Sequence, residues 1–84
     1  MSKLRQIAKN YAVDELGHPD ARIAGMVVAR NAALALVSTR RDEFVLLLER
    51  GAFDQSRWAV TEECSDPEDF YRNGGVADAD LRSH

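Results

Sequence analysis

The amino-acid sequence predicts an all-α domain, a small bundle of about four short helices followed by a flexible acidic tail. Three observations carry that expectation. Apolar residues near the N-terminus recur at the spacing of one helical face. Residues 19–37 hold two apolar seams that advance by alternating four- and three-residue steps. Alanine is frequent, β-branched residues are few, and no Asn-Gly or Asp-Gly pair marks a two-residue hairpin turn.

The first helix is expected over residues 2–16. Leu4, Ile7, Ala8 and Tyr11 fall at i, i+3, i+4 and i+7, with Ser2 as N-cap and Gly17 as the stop. Val13 lies outside that stripe. His18-Pro19 opens the second element, because proline suits a first helical turn. In residues 19–37, Ala21, Gly25, Val28, Ala32 and Ala35 form a small-residue seam. Ile23, Val27, Arg30, Leu34 and Val37 form a bulkier seam on nearly the opposite side. A surface helix needs one apolar stripe, so two stripes call for cover on both sides. The first helix supplies one cover, and the rest of the chain or a second copy supplies the other.

A third helix is expected over residues 42–50, acidic in its first turn, with Arg50 in its last and Gly51 as stop. Phe53 folds back on that ending, and Asp54 caps a fourth helix to residue 64 that turns Trp58 and Val60 inward. Ser65-Asp66-Pro67-Glu68-Asp69 starts a short turn holding Phe70 and Tyr71, and Asn73-Gly74-Gly75 ends it. The domain therefore spans residues 1–73, with residues 74–84 as the tail. The alternative is an α+β fold with a short three-stranded meander over residues 33–61, since short apolar runs suit either structure.

Composition narrows the function. At 84 residues there is room for one domain, and 45% hydrophobic with 30% charged residues is a globular balance. A chain this short buries only roughly 60–65% of its unfolded surface and often gains support from a metal, disulfides or a second copy. Cys64 is the single cysteine, and no Cys/His spacing with His18 or His84 resembles a zinc site. Self-association is the support that remains, and a homo-oligomer is the expected partner state. The apolar runs are too short for a membrane helix, and the N-terminus lacks the apolar core of a secretory signal. Those features and the free cysteine point to the cytoplasm. Residues 1–50 carry eight Lys/Arg against six Asp/Glu, while residues 51–84 carry three against eight, for a net charge of −3. That balance disfavours nucleic acid as the partner.

No catalytic, cofactor or metal site is expected. Cys64 has no histidine near it in sequence, and Gly74-Gly75 follows a helix, where it reads as a stop rather than a phosphate loop. The acidic residues from Glu62 to Asp69 lack the spacing of a calcium loop. Val45-Leu46-Leu47-Leu48-Glu49-Arg50-Gly51, followed by Arg57-Trp58, resembles the early strands of Nudix hydrolases. That family's chemistry depends on a later glycine- and glutamate-rich box whose helix binds magnesium. Glu62-Glu63 and Glu68 do not match the box, so the resemblance implies no hydrolase activity.

The expected function is a small non-enzymatic protein–protein interaction or regulatory module that self-associates. Arg30, in the middle of the bulky seam, is either salt-bridged to Glu43 or Glu49 or an interface anchor. Ile23, Val27, Leu34, Trp58, Phe70 and Tyr71 complete the candidate interface. Arg40-Arg41 reads as a solvated inter-helix turn. The second reading is a dimeric DNA-binding regulator. A helix-turn-helix over residues 4–27 would break at Gly17-His18-Pro19. A ribbon-helix-helix with its strand at 33–38 and helices at 40–50 and 54–64 would offer bases only Ala33, Ala35 and Val37, or Leu34 and Leu36. None of these donates a hydrogen bond. The third reading is an acidic inhibitor that docks the run from Glu62 to Asp69, with Asp78 and Asp80, on a basic-surfaced protein.

Overall fold

The computed structural model describes residues 3–51 and 57–75. It overturns the all-α expectation and the helical bundle with it. The chain forms helix α1 (Lys3–Asn10), which runs on into a π-turn (Tyr11–Glu15). Strands β1 (Arg22–Val28), β2 (Ala32–Ser38), β3 (Glu43–Arg50) and β4 (Trp58–Cys64) follow, and then helix α2 (Glu68–Arg72). The strands make one antiparallel meander in the order β1-β2-β3-β4. α1 packs on one face of the sheet and α2 on the other.

Residues 19–37 are a hairpin rather than a helix, and the register explains the two false seams. Ile23 lies opposite Val37 and Val27 opposite Leu34, across a turn that holds Arg30. Positions mirrored about a hairpin turn can reproduce helical spacing when the strands are this short. A bulge at Ala24 shifts the register between Ile23 and Gly25. It lets Ile23 and Val27, four apart on β1, face opposite sides, Ile23 beside Val37 on the α1 face and Val27 beside Leu34 on the other.

The alanines that favoured helix serve a close helix–sheet contact instead. Ala33 and Ala35 on β2, with Ala21 before β1, pack in one buried cluster with Ala8 of α1 and Ala12 of the π-turn. Side chains this small let a helix backbone settle near the sheet. β2 and β3 carry apolar residues on both faces, so they read as continuous apolar runs without alternation. Strands at residues 43–50 and 58–64 also remove the helices that the ribbon-helix-helix arrangement required.

The hairpin turns lack the usual glycine signal. At Arg30-Asn31, the Ala29 amide donates to the Ala32 carbonyl at 2.7 Å, and no described non-glycine residue has positive φ. Between β2 and β3, the Thr39 amide donates to the Asp42 carbonyl at 2.8 Å. Thr39 Oγ1 accepts the amides of Arg41 and Asp42 at 3.2 and 3.1 Å. A threonine hydroxyl thus does the work of a turn residue. Arg40-Arg41 is an inter-strand turn, not an inter-helix one. The readings placed on Ser2, Phe53, Asp54 and residues 76–84 lie outside the described residues.

Val13 finds its place through the π-turn. The Leu16 amide donates to the Tyr11 carbonyl, five residues back, at 3.1 Å. The extra residue in that turn rotates the apolar face, so that Val13 and Leu16 both pack on the core. α2 ends in a Schellman arrangement. Gly74, at φ 86°, donates to the Tyr71 carbonyl at 3.0 Å, and Gly75 donates to the Phe70 carbonyl at 3.1 Å. Phe70 is fully buried with Ala24, Leu36 and Val45. No helix among the described residues is long and apolar enough to cross a membrane.

Candidate functional site: an open half of the second sheet face

The register sets the second face out in rows. Gly25, Leu36, Val45 and Cys64 are successive cross-strand partners, and Phe70 packs among these residues. The next row runs Val27, Leu34, Leu47 and Glu62. α2 has only five residues, and its one fully buried side chain is spent on the first row. The second row is left partly uncovered.

Val27, Leu34 and Leu47 floor a cleft of about 380 Å³, with Ala29, Ala32, Asp69 and Asn73 around it. An adjoining recess of about 200 Å³ shares Leu34, Leu47 and Asp69 and adds Val45, Glu62, Glu63 and Cys64. The combined surface is an aliphatic floor with a carboxylate rim, and neither lining contains a lysine or arginine among the described residues. One row further along, Glu49 accepts the Thr61 hydroxyl at 2.7 Å. Asp69 lies 3.8 Å from Arg72 Nη2, a guanidinium held closer by Asp66 at 3.3 Å. The Asn73 side-chain amide donates to the Asp69 carbonyl at 2.7 Å.

Both edge strands are interrupted. Ala24 is the extra residue in β1, and the shift between Leu47 and Leu48 leaves Thr61 as the extra residue in β4. Bulges of this kind blunt sheet edges against strand addition, and β4 also carries the exposed Glu62 and Glu63.

The sequence-derived interface residues are divided by this geometry. Val27 and Leu34 meet on the open face, next to Phe70. Ile23 and Trp58 pack against α1 on the opposite face. Arg30 stands exposed in the β1–β2 turn. Glu43 is at the other end of the sheet, paired with Ser38, and Glu49 is engaged by Thr61. Tyr71 is exposed, edge-on to Phe70 at 5.4 Å. Leu47 was not singled out from sequence, and Glu62 was named as the start of the acidic run rather than as a neighbour of Val27 and Leu34. Reading residues 43–49 at period two would have grouped Val45 and Leu47 on one face.

The polar chemistry is sparse. Cys64 is on the second face, its Sγ 3.8 Å from the Asp66 carbonyl. His18 packs against Phe44 at 5.5 Å, in the cluster beneath α1. The sheet separates the two, so they form no nucleophile–base pair. No group of three His, Cys, Asp or Glu side chains that could hold a metal ion occurs among the described residues. Asp20 has its pKa held below the usual aspartate value, chiefly because its carboxylate accepts the Arg40 amide at 2.8 Å. That bond ties the α1–β1 connection to the β2–β3 turn.

Fold and site together define a class: an antiparallel α+β meander with one sheet face packed against α1 and the other half open. No protein-family model, curated protein or solved structure matches the chain significantly.

Proposed function

We propose that this chain is a small, non-enzymatic protein-interaction module of the cytoplasm, which binds through the open half of its second sheet face. The observation that carries the reading is the aligned row of Val27, Leu34 and Leu47, left partly uncovered beside a helix too short to reach it. Completing the burial of such side chains stabilises a contact by roughly 1 kcal/mol each, half the value for a fully exposed aliphatic. Three of them in one patch make an anchor for a reversible contact, surrounded by a polar rim. Self-association, the expectation from sequence, competes for the same surface.

A photo-crosslinking amino acid placed at position 47 tests the reading, with one at position 9 on the exposed side of α1 as control. In cells expressing the full chain, position 47 gives a discrete adduct with a protein and position 9 does not. An adduct weighing two copies of the chain identifies the homo-oligomer. Equal or absent crosslinking from the two positions refutes the assignment of the face.

A further inference from the structure

We infer that the open half-face receives a basic amphipathic helix of a partner protein. Its aliphatic stripe rests on Val27, Leu34 and Leu47, and its lysines or arginines face Glu62 and Asp69. The inference rests on the reading of this face as a protein-binding surface and adds the partner's chemistry.

Three arguments select that occupant. A helix fits better than a strand, because strand addition needs a regular edge and both edges are bulged. This sheet is already covered by helices on both faces, and a helix beside α2 extends the second layer over the row that α2 misses. Charge then chooses among helices. The floor is aliphatic and the rim carries Glu62 and Asp69, with no lysine or arginine in the linings among the described residues. A lysine- or arginine-flanked apolar stripe complements that pattern.

The same charges argue against the two nearest alternatives. In a two-fold pairing of this face with itself, the carboxylate rims of both copies meet at one interface, and like charges repel. Residues 76–84 carry Asp78 and Asp80 against Arg82 alone, so the chain's own C-terminal segment repeats the sign of the rim.

The test uses the full chain and three fluorescent peptides of about 18 residues, roughly five helical turns. The first has a leucine stripe with lysine at the polar positions. The second has the same stripe with glutamate. The third keeps the composition of the first but scatters its leucines off the stripe. Anisotropy titrations should show the first binding at least about tenfold more tightly than either control. The chain carrying both Leu34→Ser and Leu47→Ser should lose about tenfold or more. Because those substitutions alter a partly buried row, Glu62→Lys on the exposed edge strand is the second variant. It should weaken binding several-fold and flatten the salt dependence.

Equal affinity for the lysine and glutamate peptides overturns the inference, and so does unchanged binding to the Glu62→Lys chain. If position 47 still crosslinks to a protein in that case, the face binds a partner of other chemistry and only this inference falls. A two-copy adduct, or peptide binding that appears only after residues 76–84 are deleted, also overturns it in favour of those occupants. No peptide binding and no adduct refute both readings.

Discussion

Replacing Gly75 by alanine places a methyl carbon 2.4 Å from Phe70 Cε2 and 2.5 Å from Phe70 Cζ, well inside van der Waals contact. The ring has nowhere easy to go. Phe70 is fully buried, and its neighbours Leu36 and Val45 are almost wholly buried with it. Gly75 does not adopt positive φ, so the cost is steric rather than conformational. Overpacking of a tight core site costs about 1–3 kcal/mol. Phe70→Ala, at about 3–5 kcal/mol, sets the ceiling for losing the ring altogether. With a urea m-value of about 1–3 kcal/mol/M for a small domain, a loss of about 2 kcal/mol moves the midpoint by roughly 1 M. Gly74→Ala is the control. Its methyl meets nothing within 4 Å, but its φ of 86° strains an alanine by about 1–2 kcal/mol. The two costs separate in a double-mutant cycle. Phe70→Leu should relieve the Gly75→Ala penalty and leave the Gly74→Ala penalty unchanged. A Gly75→Ala loss below about 0.5 kcal/mol, or full additivity with Phe70→Leu, would refute the tight seating of α2 on the sheet.

Asp20 should titrate below the usual aspartate value of 3.8, because its ionised carboxylate accepts the Arg40 amide. A group whose folded pKa is lowered contributes stability that is present above its unfolded value and lost as pH falls through the folded one. Carboxyl NMR through the acid range checks this, and a midpoint at or above 3.8 would count against the tether. Ala35 is fully buried in the cluster with Ala8 and Ala12, so Ala35→Leu should destabilise by about 1–3 kcal/mol as α1 is forced away. Thermal unfolding that is unchanged or raised in that variant would mean that α1 does not lie close to β2.

The N-terminal helix was legible because its stripe faces one sheet surface only. Its stop at Gly17 and the Gly74-Gly75 ending of α2 were legible for the same local reason: each requires or favours glycine where φ turns positive. The strands were hidden by their cover. With helices on both sides, Ala33 to Val37 and Phe44 to Leu48 alternate between two apolar faces, and polarity alternates with neither. Alanine pointed towards helix by intrinsic propensity, while its place here is set by the closeness of α1. The hairpins escaped notice because Thr39 makes its turn with a side-chain hydroxyl, and Arg30-Asn31 turns without positive φ. The open row was half legible. Val27 and Leu34 stand out in any reading, but their neighbour Leu47 joins them only through strand register, which no local pattern encodes.

The wall that α2 turns towards the open row bears on what the row is for. Asp69 and Asn73 are four residues apart, both border the cleft, and are joined by the 2.7 Å bond from the Asn73 amide to the Asp69 carbonyl. Phe70, between them in sequence, points into the first row instead. A helix that completed the core over Val27, Leu34 and Leu47 would present aliphatic side chains at positions 69 and 73 and continue past residue 72. This one presents a carboxylate and an amide, then stops at Gly74. The aliphatic row is therefore packed within the chain on one side and left partly uncovered by α2 on the other. An apolar strip bounded by hydrogen-bonding groups keeps its polar wall hydrated when empty and offers those same groups to a charged partner when filled. On the proposed reading, that combination suits a contact that forms and releases, and the rim's carboxylates favour a basic partner over a second copy.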